Sequence, residues 1–406
     1  MSIDVSQHRR CFPALQNNSS IYFDNAATTQ KPKVVIDCVG KHYEKLNSNI
    51  HRSDHEHGFK ATKKYEGARK IIQNYINAKD PNEIVFTKGA TDSINIVAHS
   101  FCRSHVGGGD VILISSIEHH ANIVPWQIAS KIAGARIVPI PLNDNLTVNI
   151  ELFKQILKSE PVKIVAIQHT SNVTGITQPL KEVITESHKV GVPVLVDGAQ
   201  AIAHTKIDIQ EIDCDFFCFS GHKAFGPTGI GVLYGKKPAL IDFEPLWGGG
   251  GMISEVAINS SSWADLPHKL EAGTPNIAGA IGLGAALQFV QTVGLKNIEN
   301  WENKLGRYLY SKLKSVRGII LYNFNSNSIP IFSFNITGVH HSDLSALLNE
   351  RGVSVRAGHL CAQPLMTHLK INGCLRVSLS FYNTFEEIDT FINHLRSVSS
   401  FLIKNG

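Results

Sequence analysis

The chain has 406 residues, of which 43% are hydrophobic and 18% charged, and its formal net charge is +5. That length suits two or three domains, or one large core with an appendage, and the balance excludes global disorder. The 39 Lys and Arg against 34 Asp and Glu permit an anionic small molecule or an acidic protein partner, and no Lys/Arg block is long enough to suggest a nucleic-acid arm.

The N-terminal stretch, Met1 to Arg10, has no apolar segment after its charges, so a secretory signal is not expected. No apolar run reaches the roughly 20 residues of a membrane helix, so no membrane partner is expected either. The seven cysteines are odd in number and scattered, which does not make a disulfide framework. A cytoplasmic protein with reduced thiols is the expectation.

Short β-branched runs alternate with longer amphipathic stretches from about residue 80 to 235. The predicted strands are Glu83–Thr87, Asp110–Ser115, Lys163–Gln168, Val192–Asp197 and Asp215–Ser220, with crossover helices such as Glu151–Ser159 and Lys181–Val190. Continuous apolar runs suggest strands buried on both faces, and the strand–helix–strand repeat implies an α/β fold around a mostly parallel, doubly wound sheet. Beyond residue 240, Trp247–Gly251 reads as a flexible loop and a long helical pattern runs from about Ile277 to Val316. The tail mixes short strands (Ile331–Asn335, Gly352–Arg356) with helices such as Glu386–Leu402, the texture of a smaller α+β domain.

Ligands of an open parallel sheet gather at the carboxyl ends of its strands. After the first strand comes Thr87-Lys-Gly-Ala-Thr91-Asp92-Ser93, ahead of an apolar-periodic stretch. This is a phosphate seat at a helix N-terminus, or, taken alone, an ordinary capped helix. The following strand ends lead into Glu118-His119-His120-Ala121-Asn122, Gln168-His169-Thr170-Ser171-Asn172, Asp197-Gly198-Ala199-Gln200 and Ser220-Gly221-His222-Lys223. The paired histidines lack a metal-binding companion motif. Cys214, Cys218 and His222 are evenly spaced, but on a strand Cys214 and Cys218 share a face about 13 Å apart. They read as core cysteines, and no metal site is expected. An amine, a carboxylate and a phosphate seat on one sheet rim suit pyridoxal 5′-phosphate.

Asp197–Gln200 followed by Ser220–Lys223 resembles the signature of class V, fold-type I pyridoxal-phosphate enzymes. Glu118–Trp126, Glu271–Asn276 and Arg356–Met366 resemble the Suf-type, group II cysteine desulfurases. The resemblance runs from Tyr22 through Asn383. It implies a large cofactor-binding domain over 20–285, and a small α+β domain of 1–19 with 286–406 that carries a cysteine loop at 356–366. It implies Lys223 as the lysine that carries the cofactor, Asp197 at the pyridine nitrogen, His120 on the ring face, and Gln200 at the phenolic oxygen with Asn172 beside it. Thr91, Ser220 and His222 would hold the phosphate, helped by Thr274 of a second copy in a homodimer. Arg376 would clamp the substrate carboxylate, a task suited to a guanidinium fork.

Cys361 is the expected nucleophile, because Arg356 and His359 lie near it in a Gly- and Pro-bounded loop, a setting that favours thiolate. The implied reaction converts L-cysteine to L-alanine and leaves a persulfide on Cys361, for a SufE-like or SufU-like acceptor and iron–sulfur cluster assembly. Selenocysteine lyase activity and a non-catalytic sulfur-transfer scaffold are the alternatives. Two positions depart from the family pattern: Ala90, where a second hydroxyl residue is common, and Gly251, where a serine usually follows three glycines. Glu56-His57-Gly58 also departs from it.

Overall fold

The computed structural model describes residues 4–16, 20–322 and 328–405. Seven strands form the central sheet: β1 (Ile84–Thr87), β2 (Val111–Ser115), β3 (Arg136–Ile140), β4 (Val162–Gln168), β5 (Val194–Asp197), β6 (Phe216–Ser220) and β7 (Gly231–Gly235). Their spatial order is β1-β7-β6-β5-β4-β2-β3, and β7 alone runs antiparallel to its neighbours. The five strands expected from sequence are present to within two residues at each end. Two were not expected. Gly231–Gly235 follows β6 by a short connection without an α-helix, and edge strand β3 has a proline within its apolar run and is mostly exposed or half-buried.

Both faces of the sheet are covered. On one, helices Lys33–Lys45, Glu56–Tyr75 and Ile277–Val293 pack together. On the other lie Ala90–His105 and Val124–Ala133. This two-sided burial explains why the strands read as unbroken apolar runs. The long helix expected over 277–316 is two helices, Ile277–Val293 and Leu295–Lys314, bent by 74° at Gly294, whose φ of 87° ends the first helix. Among the described residues no single helix is long and apolar enough to cross a membrane.

A hairpin of β8 (Ile253–Ala257) and β9 (Ser260–Trp263) follows the central sheet in sequence. The tail forms an antiparallel sheet of β10 (Ile319–Leu321), β11 (Ile331–Ile336), β12 (Arg356–Gly358) and β13 (Cys374–Ser378), in the order β10-β11-β13-β12, with its own apolar core. The strand expected over Gly352–Arg356 is divided. Val353–Ser354 pairs in parallel with Ile21–Tyr22, and Arg356 opens β12. We propose 20–285 against 1–19 with 286–406 as the domain division; at its N-terminal edge, Ile21 and Phe23 pack into the small-sheet core.

Glu56-His57-Gly58 has a local explanation. His55 caps the helix Glu56–Tyr75 by accepting from the Gly58 N–H at 3.1 Å, and a Cβ on Gly58 would stand 2.1 Å from that of Ser53. Further along this helix, Arg69 reaches inward. Its guanidinium donates to Glu271 at 2.6 and 3.0 Å and to the Ile84 carbonyl at 2.7 Å, while the Phe86 N–H also donates to Glu271. The side chains are 1% and 6% exposed. Burial alone would lower the Arg69 pKa, but Glu271 and then Glu66 more than offset it and raise the pKa above the usual arginine value. Glu66 also holds this guanidinium, accepting from Nε at 2.8 Å, so Glu271→Ala removes the buried carboxylate but leaves the charge one partner, and should lose about 1.5–3 kcal/mol of stability. Urea unfolding checks this; an unchanged midpoint would show that the pair does not contribute to stability.

Candidate active site

Every strand expected to carry chemistry ends on the same rim. Thr87 leads into the helix starting at Ala90, and Ser115 into residues 117–122. Gln168 precedes Asn172, Asp197 ends β5, and Ser220 ends β6 and enters the turn Gly221–Lys223. A cavity of about 600 Å³ opens there. Thr91, His120, Asn172, Asp197, Gln200, Ser220, His222, Lys223, Cys361 and Arg376 all line it. Thr274 does not: it is exposed and off the cavity of its own chain.

The floor is built from buried polar groups. Asp197 accepts from the Ala199 N–H at 2.9 Å, and burial pushes its carboxyl up, opposed by that hydrogen bond and by the Lys223 charge. Burial pushes the Lys223 amine down, opposed by Asp197. The turn that presents Lys223 is held by its neighbour's carbonyl. His222 O accepts from the Thr29 N–H at 3.1 Å and from the Lys31 ammonium at 2.8 Å, and burial takes Lys31 down to about 8. Gln200 donates to Ala26 O at 2.8 Å.

At the helix N-terminus, Ser220 Oγ accepts from the Ala90 N–H at 2.9 Å. A Cβ on Gly231 would lie 2.4 Å from Gly89 Cα, so only glycine lets β7 pass beneath this turn. Ala90 is buried in the apolar cluster that includes Ile94 and, with Thr91, lines the cavity. Gly251 has a φ of 85°, a backbone that favours glycine over the family's serine.

The small sheet supplies the opposite wall. Arg376 on β13 is 2% exposed; it donates to Asn172 O at 2.9 Å and to Asp24 at 3.0 Å, and its Nε has no partner among the described residues. The cysteine loop follows β12. Leu360 and Cys361 both have φ of 55°, a left-handed pair costing on the order of 1–3 kcal/mol per residue. Three contacts hold them there. Asn172 Nδ2 donates to Leu360 O at 2.8 Å, the His120 N–H donates to Cys361 O at 2.7 Å, and His120 Nε2 accepts from the Gln363 N–H at 3.2 Å. Cys361 is the one exposed thiol among the seven cysteines.

The expectation that Cys214 and Cys218 share a face is corrected. The strand begins at Phe216, so Cys214 lies outside it, and the two thiols are buried in the cores on opposite faces of the sheet. Sequence reasoning missed the part played by Asp24, which binds both Arg356 and Arg376, and by Glu118. Glu118 accepts from Asn122 at 2.8 Å and from the Gln168 N–H at 2.9 Å, with Ser115 as a further partner, and burial pushes its carboxyl up to about 8. Asp24 was visible only as an acid between apolar Phe23 and the small residues that follow it.

His119 is held neutral. Its Nδ1 accepts from the Ala121 N–H at 3.1 Å, and burial first, then the charges of Lys223, His120 and Arg376, bring it down to about 3. The unfolded chain therefore binds a proton that the native site refuses, between about pH 3 and 6.5. The associated stability is complete above that window and is lost as pH falls through it. His119→Asn, which keeps an acceptor for Ala121, should reduce proton uptake on unfolding by about one across this range. The pH dependence of unfolding free energy measures it; an unaltered slope would mean that His119 is protonated in the native protein.

Comparison with known proteins agrees with this geometry. The family model described as aminotransferase class-V matches residues 21–391. A protein of Halalkalibacterium halodurans named "Probable cysteine desulfurase" is 46% identical over 403 residues, covering 98% of this chain and 99% of its own. A cysteine desulfurase of Escherichia coli is 43% identical, covering 99% of this chain and 100% of its own. Among solved structures, the Escherichia coli cysteine desulfurase CsdA superposes with a TM-score of 0.93 at 39% identity, covering 99% of this chain and all of that one.

Proposed function

The chain belongs to the aminotransferase class-V family, and on that premise we propose that it is a pyridoxal-phosphate-dependent cysteine desulfurase that moves sulfur from L-cysteine to Cys361. One observation carries the reading: an exposed, conformationally pinned thiol and a half-buried lysine line the same cavity, with a buried arginine between the sheets.

The residues present fit the cofactor. Asn172 Oδ1 is buried and has no partner among the described residues, the Lys223 amine and Asp197 carboxyl line one cavity, and Thr91, Ser220 and His222 meet at a helix N-terminus. Lys223 would carry the cofactor and Asp197 its ring nitrogen. His120 would cover the ring, Gln200 and Asn172 would bind its oxygen, and Thr91, Ser220 and His222 would bind its phosphate. When bound, pyridoxal phosphate supplies an electron sink for charge at the substrate α-carbon.

The chain's own residues do the rest. Arg376 holds the substrate carboxylate. The Lys223 amine, whose pKa burial lowers toward the working range, moves the α-proton. Cys361 Sγ forms a bond to the substrate sulfur as the Cβ–S bond breaks, so the persulfide stays on the loop and L-alanine leaves. A loop fixed at His120 and Asn172 keeps that sulfur at the mouth. A small acceptor protein of SufE-like or SufU-like type, entering the cavity, would take it toward iron–sulfur cluster assembly.

We further propose a cytoplasmic homodimer in which exposed Thr274 completes the partner's phosphate seat. Selenocysteine lyase activity is the alternative for the same site, since a weaker C–Se bond needs no attack by Cys361.

The deciding experiment assays alanine and protein persulfide from L-cysteine. The unmodified protein should form both and Cys361→Ala neither, and borohydride reduction should place the pyridoxyl group on Lys223. A Cys361→Ala variant that desulfurates cysteine normally would refute the thiol's role. Arg376→Ala should bind cysteine more weakly by about 2–4 kcal/mol while retaining the cofactor, because a charged, two-pronged contact is lost. A normal Michaelis constant would remove Arg376 from the clamp.

A further inference from the structure

Three potential metal ligands meet beside the helix Glu56–Tyr75, and none of them lines the cavity. Thr62 Oγ1 of this helix accepts from the His51 N–H at 2.9 Å, which docks the preceding turn, where His51 has a φ of 67°. One helical turn further on, Glu66 Oε1 lies 3.0 Å from His51 Nε2. His268 arrives from a distant part of the chain. It opens the short turn His268–Leu270, just ahead of Glu271, and the grip of Arg69 on Glu271 holds that turn against the same helix. The two imidazoles then meet edge to face, with ring centroids 4.7 Å apart. Among the described residues, neither ring nitrogen of His268 makes a hydrogen bond.

A ligand atom from each of His51, Glu66 and His268 lies within 4.8 Å of the other two. Around a tetrahedral zinc, with bonds of about 2.0–2.1 Å, ligand atoms stand about 3.3 Å apart. His51 and Glu66 are already near that spacing, and these partly exposed side chains close the remainder by turning about their own bonds. We propose that His51, Glu66 and His268 form a binding site for one Zn2+, with water completing its coordination. The donor set selects the ion: two imidazoles and a carboxylate suit zinc, whereas calcium and magnesium take oxygen ligands. The surroundings support such a site. Glu66 Oε2 accepts from Arg69 Nε at 2.8 Å, which orients the carboxylate, while Oε1 has only a longer contact with Arg69 at 3.3 Å and is free to turn to the ion. Arg69 does not cancel the charge of the site, because Glu271 matches it; two carboxylates against one guanidinium leave one negative charge for the cation. The ion would fasten together the turn at His51, the helix and the loop that leads to Thr274. None of this depends on the desulfurase reading.

The test uses the untagged, cofactor-loaded protein carrying Cys361→Ala, which removes the one exposed thiol as a competing ligand. After treatment with a chelator it is dialysed against Zn2+, and the bound metal is counted by atomic absorption. It should hold one zinc per chain. His51→Ala and His268→Ala, each added to that background, should weaken binding by at least about tenfold, since even the loss of a residue that only orients a ligand costs that much. Zinc should also raise the thermal unfolding midpoint of the Cys361→Ala protein, because an ion that binds only the native chain stabilises it, and should leave the midpoint of the His268→Ala variant where it was. A protein that retains no zinc overturns the proposal. Binding that both histidine variants leave unchanged, or an equal rise in midpoint with and without His268, overturns it as well, because the metal then sits on other ligands. Should the histidine variants not fold, Glu66→Gln decides. It keeps an oxygen for Arg69 and removes the charged ligand, so an unchanged zinc affinity there overturns the site.

Discussion

A guanidinium cannot stay buried without partners, and the Arg376 guanidinium is sealed between two sheets. Its partners come from elsewhere in the chain: Asn172 O from the loop after β4, and Asp24 from the segment leading out of Ile21–Tyr22. Satisfying that one charge therefore fixes how the small sheet meets the large one. The pairing of Ile21–Tyr22 with Val353–Ser354 brings the same segment alongside β12, from which the cysteine loop emerges. The cavity forms where these constraints meet.

Much of this was legible because the strands are buried on both faces. An apolar run with a polar residue at its carboxyl end marks both the strand and the rim, and Asp197, Ser220 and Lys223 could be read that way. The same logic explains what was missed. β3 is an edge strand exposed at Arg136 and Pro139, and the proline inside its apolar run weakens it as a strand signal. β7 reverses direction without a crossover helix, which the strand–helix–strand rhythm does not anticipate. The break at Gly294 hid inside a sequence whose apolar content continues across it. Asp24 carried no pattern at all, because its role depends on two arginines more than 330 residues away in sequence, whose approach only the tertiary fold creates.

The cavity's electrostatics arise from burial more than from opposite charges in contact. His119 and His222 are driven down to about 3 and about 4, while Glu118 is driven up to about 8, each with burial as the largest cause. Desolvation thus neutralises histidines and an acid in the shell around the site. The charges that remain are few, and each has one acidic partner. Lys223 faces Asp197 across the cavity, and Arg376 is shared between a backbone carbonyl and Asp24. A neutral shell leaves those few pairs at low dielectric, where each charge acts mainly on its own partner.

The cysteine loop follows a different rule. Cys361 is the exposed thiol, yet it sits on one of the most constrained stretches near the site, with two successive left-handed residues held by His120 and Asn172. Exposure and mobility are separable. A thiol on a free loop would reach solvent acceptors indiscriminately, whereas a thiol fixed at the mouth is open to whatever enters and hidden from whatever cannot. The strain at Leu360 and Cys361 is sustained because the same His120 and Asn172 that line the cavity also hold the loop's carbonyls. The conformation of the sulfur carrier is therefore tied to the integrity of the cofactor pocket, and a disturbed pocket would release the loop as well as lose its chemistry.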